Sequence, residues 1–372
     1  MSRWTGPAAR LALCGGAGAA MVVLALPAVS GARWDETGAA LGEVGSTELV
    51  LLVALWAAGL WVHTPSLTAA LPGLSHRRAL LLNLSGSFVS NLLPLGGAVG
   101  TVVNWRMARA WGFGGNAFAR WAMLTNVADT VVKVALPGLV LCWVAMSGAV
   151  AGGVMGAAAA VGTGLLGVLV LGVGLVARDD RAVRWAGGRA DAVAARVRWV
   201  PSAPEGYGER AAGFRRDSTR LVRAGWGWML GGKLAYAALQ AVLLWACLRA
   251  VGGQVEPVVV ACAFAVERVL SMLVLTPGAV GAVEVGMVGM LGTFGTAPAV
   301  AVAGVLVYRA LVVGMEVPVG GLALFGWCAL RRRAGLGWRL PTAQDAAAPV
   351  GVTGSSPAAP AIPATEPVVT PR

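Results

Sequence analysis

The chain has 372 residues, of which 57% are hydrophobic and 12% charged, whereas an average soluble domain is about 25% charged; an ordinary water-soluble globule is excluded. Its 53 glycines follow no three-residue period and sit among Leu, Val and Ala runs, which excludes collagen and fits a polytopic membrane protein whose small residues let helices approach closely. The formal net charge of +12 comes almost wholly from arginine, Lys133 and Lys233 being the only lysines, so the placement of the arginines decides between nucleic acid and lipid as the partner.

Cys14, Cys142, Cys247, Cys262 and Cys328 are scattered through apolar stretches without a CxxC spacing, and His63 and His76 are the only histidines. A disulfide frame, a zinc site and His-based catalysis are therefore not expected, and no cofactor or metal is assigned.

Apolar segments of crossing length, at about 20 residues each, are read at residues 11–29, 49–62 (short, extended by Thr47 and Glu48), 121–146, 154–176, 227–250 and 299–328. Two further apolar regions, 80–105 and 257–295, are broken by Pro and Gly. The first carries Asn83, Ser85, Ser87, Ser90 and Asn91 before Pro94 and reads as a polar-faced half-helix, a break and a second half-helix. Backbone broken at membrane depth is tolerated only inside protein or beside a water-filled cavity. The expected fold is thus all-α and polytopic, with about six full spans and two broken pairs, re-entrant or hairpin, whose shared tetrapeptide is either an inverted repeat or a chance repetition in a chain rich in Gly, Ala and Val.

Arginine orients the chain, because short cytoplasmic loops are enriched in Lys and Arg. Arg3 and Arg10 precede the first span, Arg77 and Arg78 follow the second, Arg331–Arg333 and Arg339 follow the last, and residues 178–223 hold a further basic run. The loop after the first span instead sets Arg33 against Asp35, Glu36, Glu43 and Glu48. All the basic segments share one side only if 80–105 leaves by the face it entered; both termini are then cytoplasmic, and 257–295 works from the outer face. The first span has signal-peptide features, but its retention needs no extra assumption. Residues 178–223 read as a cytoplasmic basic loop with amphipathic surface helices, and no nucleic-acid motif accompanies them. Residues 1–330 form the membrane domain, and 331–372 a basic juxtamembrane stretch followed by a disordered Pro/Ala-rich tail.

Each break contains Gly-Ala-Val-Gly after a proline: Pro94, Gly96, Gly97 and Gly100 in the first, Pro277, Gly278 and Gly281 in the second. A helix starting just after Gly100 or Gly281 would aim unpaired N–H groups and its positive dipole end into the membrane interior, where a phosphate could approach over glycine. Ionisable residues inside apolar regions by default mark functional sites or buried pairs. Arg106 and Arg109 follow the first break, Glu284 the second, and Arg309 lies in the last span. Arg309 with Glu284 is the preferred cross-helix pair. Asp129 and Lys133, spaced i,i+4, are either a structural ion pair or part of a pathway lining. Glu267 and Arg268 are adjacent, point in different directions and are expected to need separate partners. Trp105, Trp111, Trp121, Trp226 and Trp228 read as interfacial anchors.

Asn91-Leu-Leu-Pro94 with Gly96, Gly97, Gly100 and Arg106, then Thr276-Pro277-Gly278-x-x-Gly281-x-x-Glu284-x-Gly286, with Arg309 and Pro318, resembles the flippase-like membrane domain of lysylphosphatidylglycerol synthases over residues 10–330. In fused members of that family this domain is taken to move an aminoacylated phospholipid between leaflets, while a separate soluble domain makes the lipid. The resemblance does not extend to that synthase domain, so aminoacyl transfer is not carried over. Thr101 stands where many relatives have an acid directly after the first Gly-rich turn. The resemblance implies an inner-membrane lipid transporter or flippase, not an enzyme, that takes membrane phospholipid or a lipid-linked substrate. The anionic or phosphate-bearing headgroup would bind between the breaks, at Asn91, Pro94, Gly96, Gly97, Gly100, Arg106, Pro277, Gly278, Gly281, Glu284 and Arg309. The alternative is a non-transporting scaffold or accessory subunit for an envelope-lipid enzyme. No Gly-x4-Gly-Lys-Ser/Thr motif occurs, so a passive or gradient-coupled process is expected rather than direct ATP drive.

Overall fold

The computed structural model describes residues 19–93, 96–146, 207–272 and 277–333, with Gly16, Gly164 and Gly167. Its regular elements are all helical. They are α1 (Met21–Ser30), which opens with a π turn, α2 (Trp34–Gly42), α3 (Ser46–Ala70), α4 (His76–Leu92), α5 (Gly96–Ala110) and α6 (Gly115–Met146). After these come α7 (Tyr207–Ala250), α8 (Pro257–Leu270), α9 (Ala282–Thr293) and α10 (Pro298–Arg333), the last interrupted by a π turn at Ala310–Gly314. Four helices hold stretches long and apolar enough to cross a membrane: α3, α6, α7 from Gly225, and α10. The expected span at 154–176, Pro94, most of the basic loop and the tail after 333 lie outside the described residues.

Several boundaries differ from expectation. The second span runs to Ala70 rather than stopping near residue 62. Pro65 has no N–H for the carbonyl of Trp61, but Thr64 Oγ1 donates to that carbonyl at 2.7 Å, so the helix continues. That hydroxyl proton being used, His76 Nδ1 is the donor in the 2.8 Å contact with Thr64 Oγ1, which joins the end of α3 to the start of α4. Residues 207–223, expected as part of a surface loop, are instead the first turns of α7, in one helix of 44 residues. The stretch holds Ala, Arg and Glu, good helix formers, and no proline that would end it.

The two broken regions form hairpins. Helices α4 and α5, of 17 and 15 residues, and α8 and α9, of 14 and 12, all fall short of the about 20 residues that one crossing needs. In the first hairpin, a β-carbon at Gly96 would sit 2.7 Å from Ser90 Cα, and one at Gly100 would sit 3.0 Å from the Gly86 carbonyl oxygen. This close antiparallel contact is open only to glycine. The identical Gly-Ala-Val-Gly quartets are not equivalent. Residues 97–100 lie in the first turns of α5, which begins at Gly96 and not after Gly100 as expected. Residues 278–281 form a left-handed turn, with φ of +63° at Gly278, +53° at Ala279 and +98° at Gly281.

Helices α3 and α7 run antiparallel, with Gly59 against Tyr236, Gly232 against Ser66 and Gly225 against Ala69. Small residues carry this packing, the expected device where lipid supplies no hydrophobic drive between helices. The α4–α5 hairpin springs from the Ala70 end of the pair. The α8–α9 hairpin springs from the Ala250 end, which is also the α2 end, since Gly252 faces Glu43. From these opposite ends the two tips meet: Gly278 lies against Asn91 and Val313. A core of Leu26, Leu60, Leu244, Leu248, Met287 and Tyr308 fixes the α8–α9 side of the bundle. The outer faces expose large apolar side chains such as Val50, Leu51 and Leu322, a surface suited to lipid.

The hairpin geometry predicts a contrast. Gly100→Ala should destabilise the protein by about 1–3 kcal/mol through overpacking, whereas Gly97→Ala, where a β-carbon meets nothing within 4 Å, should leave stability unchanged or slightly raised. Thermal unfolding in detergent, followed by tryptophan fluorescence, measures both.

Candidate functional site

A polar cavity of about 630 Å³ lies where the hairpin tips meet, between α3, α6, α7, α8 and α10. Asn83, Ser87, Ser90, Asn91 and Asn104 line it from the first hairpin; Thr125, Asn126, Asp129 and Lys133 line it from α6. Its charged groups fall into two clusters.

The first cluster is built on Asp129. Lys133, one turn on in α6, lies 2.9 Å from Asp129 Oδ2, and Lys233 of α7 donates to Oδ1 at 3.1 Å. The i,i+4 pair read from sequence is thus a triad with two ammonium groups on one carboxylate, and it lines the cavity. His63 of α3 stacks on Tyr236 of α7 with ring centroids 4.7 Å apart, which closes the wall beside this cluster.

The second cluster is built on Arg309. Its Nε donates to Glu284 Oε1 at 2.7 Å and its Nη2 to the carbonyl of Gly278 at 2.6 Å. Glu284 Oε2 in turn accepts the N–H of Gly281 at 2.6 Å, as half of a capping box, since glycine has no side chain to return the bond. The pair expected from sequence therefore forms, buried beside the cavity, and both carboxylate oxygens are used. Glu284 acts as a clamp on the left-handed turn, and the N-terminus of α9 is filled by this carboxylate instead of lying open to an anion. Beside it, Arg268 Nε donates to Glu267 Oε2, which corrects the expectation of separate partners. The guanidinium is long enough to fold back along the helix, and it also lies 4.6 Å from the centre of the Phe264 ring. Glu316 completes the cluster. Its Oε2 accepts from Asn91 Nδ2 at 3.4 Å, and it is buried at 6% exposure.

Of the residues proposed from sequence, Asn91, Gly96, Gly97, Gly100, Gly278 and Arg309 line the cavity. Glu284 and Gly281 stand behind Arg309 and support it. Arg106 is not among the lining residues, Pro277 opens the turn at the second tip, and Pro94 is outside the described residues. Thr101 lines the cavity and donates to the Gly97 carbonyl at 2.8 Å. Trp121 is not an interfacial anchor: it is buried, and its Nε1 donates to the Leu67 carbonyl at 3.1 Å. Sequence reasoning missed Lys233 and Glu316. The rarity of lysine pointed to the first, and an acid inside the last span, seven residues after Arg309, pointed to the second. Among the described residues no group of three or more His, Cys, Asp or Glu is placed to hold a metal.

Apolar helices of crossing length around a polar, charge-paired cavity define a multi-pass membrane protein. The family model described as the lysylphosphatidylglycerol synthase TM region matches residues 9–320, and the chain belongs to that family. A search of curated proteins returned no match.

The buried Arg309–Glu284 pair predicts non-additive mutants. Glu284→Gln and Arg309→Gln should each cost about 3–5 kcal/mol, because each leaves its partner charged and buried. The double variant should cost less than the sum of the two. A double-mutant cycle on thermal or denaturant unfolding in detergent measures the coupling.

Proposed function

We propose that the protein is a lipid transporter or flippase of the plasma membrane, with both termini cytoplasmic, that takes an anionic or phosphate-bearing lipid headgroup into the central cavity. The observation that carries this reading is the cavity itself, with Asp129 held between Lys133 and Lys233. One carboxylate on two ammonium groups leaves a net positive charge facing a polar space, and a phosphate would balance it.

This moves the anion site away from Arg309, whose guanidinium is engaged by Glu284 and Gly278. The headgroup would instead sit against Lys133 and Lys233, near Asn126 and Thr125. The start of α5 at Gly97, where nothing lies within 4 Å of a β-carbon position, would add backbone donors. Two half-length hairpins that start at opposite ends and meet at their tips fit re-entrant entry from the two membrane faces, the arrangement in which transporters place a midplane site. Arg77, Arg78 and Arg109 at the hairpin end of α3, against Asp35, Glu36, Glu43 and Glu48 at its start, support the orientation. Among the described residues of the cavity, Glu267 is tied to Arg268 and Asp129 to the lysines, which supports movement over paired-carboxylate acid–base chemistry.

Vesicles reconstituted with the protein and headgroup-labelled anionic phospholipid test the reading. The wild type should exchange label between leaflets, and Lys133→Met with Lys233→Met should slow exchange about tenfold or more, the loss of charged hydrogen bonds of about 1.5–3 kcal/mol. Exchange by wild type no faster than in empty vesicles would sink the transport reading, and co-purification of an envelope-lipid enzyme would then favour an accessory subunit.

A further inference from the structure

We infer that Glu316 is a proton-binding site and that its proton is the coupling ion for movement through the cavity; the inference rests on the transport reading above and names what drives it. Glu316, Glu267 and Glu284 are the carboxylates at 6% exposure or less among the described residues. Glu267 is bonded to Arg268, and Glu284 to Arg309 and to the Gly281 N–H. Glu316 has no cation within 4 Å among the described residues. Its hydrogen-bond donor is an amide, Asn91 of α4.

A buried carboxyl group that faces a polar cavity and has no salt-bridge partner can exchange a proton, and acids so placed inside membrane bundles serve as proton relays. The charged groups that surround Glu316 are already paired. On its own helix, Arg309 is held by Glu284 and Gly278. From α7, Tyr236 receives Gln240 Nε2 at 2.8 Å on its hydroxyl. From α3, His63 is stacked on that same tyrosine. From α8, Glu267 and Arg268 neutralise each other. At the far side of the cavity, Asp129 lies between its lysines. Glu316 is therefore the acid whose charge is free to change while every other pair stays intact.

Its position turns that change into movement. Glu316 holds Asn91, Asn91 lies against Gly278, and Gly278 is the carbonyl that Arg309 grips. The last span, the first hairpin and the second tip thus meet at one carboxyl group that faces the cavity. As a carboxylate, Glu316 binds the Asn91 amide by a charge-assisted bond; with a proton on one oxygen that bond weakens. A proton taken from one side and released to the other would alternately tighten and loosen the contact between the hairpin tips. No covalent bond is made or broken; one proton crosses with each cycle.

Vesicles carrying a pH step across the bilayer read this out. With one proton per lipid, a step of one unit should bias the steady-state leaflet ratio of labelled anionic phospholipid about tenfold in wild type. Glu316→Gln should return that ratio to about one at whatever rate it exchanges, and so should collapse of the gradient by a protonophore. Exchange by wild type with a ratio unmoved by the gradient would overturn the inference and leave the transport reading standing. Exchange absent from every sample would overturn the transport reading instead. The proton site then stands or falls on infrared difference spectra of the protein in nanodiscs. A protonated-carboxyl band that fades as pH rises and is missing in Glu316→Gln supports it, and the absence of such a band from wild type at every pH overturns it.

Discussion

The left-handed turn at Gly278–Gly281 cannot hold itself. It places three residues at positive φ, one of them the non-glycine Ala279, a conformation that costs energy for any side chain bearing a β-carbon. What fixes it is a single guanidinium: Arg309 takes the Gly278 carbonyl and the Glu284 carboxylate together, and Glu284 returns to the Gly281 N–H. In a low-dielectric interior such a closed set of charged hydrogen bonds is strong when complete and costly when any member is lost. The end of the second hairpin, its contact with Asn91, and one wall of the cavity all depend on it.

Around this clamp, the bundle divides its work between glycine and charge. Glycine sets distances: Gly96 and Gly100 bring α5 onto α4, and Gly232 and Gly59 bring α7 onto α3, so polar side chains on the inner faces come within bonding range. Charge then sets what the enclosed space accepts. The Asp129 cluster faces the cavity with surplus positive charge, while the Arg309–Glu284 pair is spent on structure. Two groups of charge around one cavity thus have different work, set by which donors and acceptors remain.

The breaks in the two hairpins were legible in the sequence because helix length and Pro/Gly interruption are one-dimensional. So was the Glu284–Arg309 pair, because an isolated acid and an isolated base in apolar surroundings must find each other. Other features depended on neighbours the sequence does not place side by side. Lys233 meets Asp129 across 104 residues. The length of α3 rests on one hydroxyl of Thr64 substituting for the missing donor of Pro65. Glu267 and Arg268 diverge by helical angle yet join, because the arginine side chain is long. The repeated Gly-Ala-Val-Gly marked both breaks correctly while suggesting a local equivalence that the backbone does not have. Four small residues do not by themselves choose between a helix and a turn.

The π turn at Ala310–Gly314, closed by the Met315 N–H on the Ala310 carbonyl at 2.7 Å, has a consequence for phase. In an unbroken α-helix, residues seven apart stack on one face, and Glu316 would lie two turns along from Arg309 on the same side. One inserted residue rotates everything beyond it by about 100°. The insertion therefore turns Glu316 out of line with the guanidinium and toward the first hairpin. The same seven residues wound as unbroken α-helix would set the carboxylate beneath Arg309, into competition with Glu284. The spacing of this one loop of helix thereby keeps a second acid from quenching the clamp.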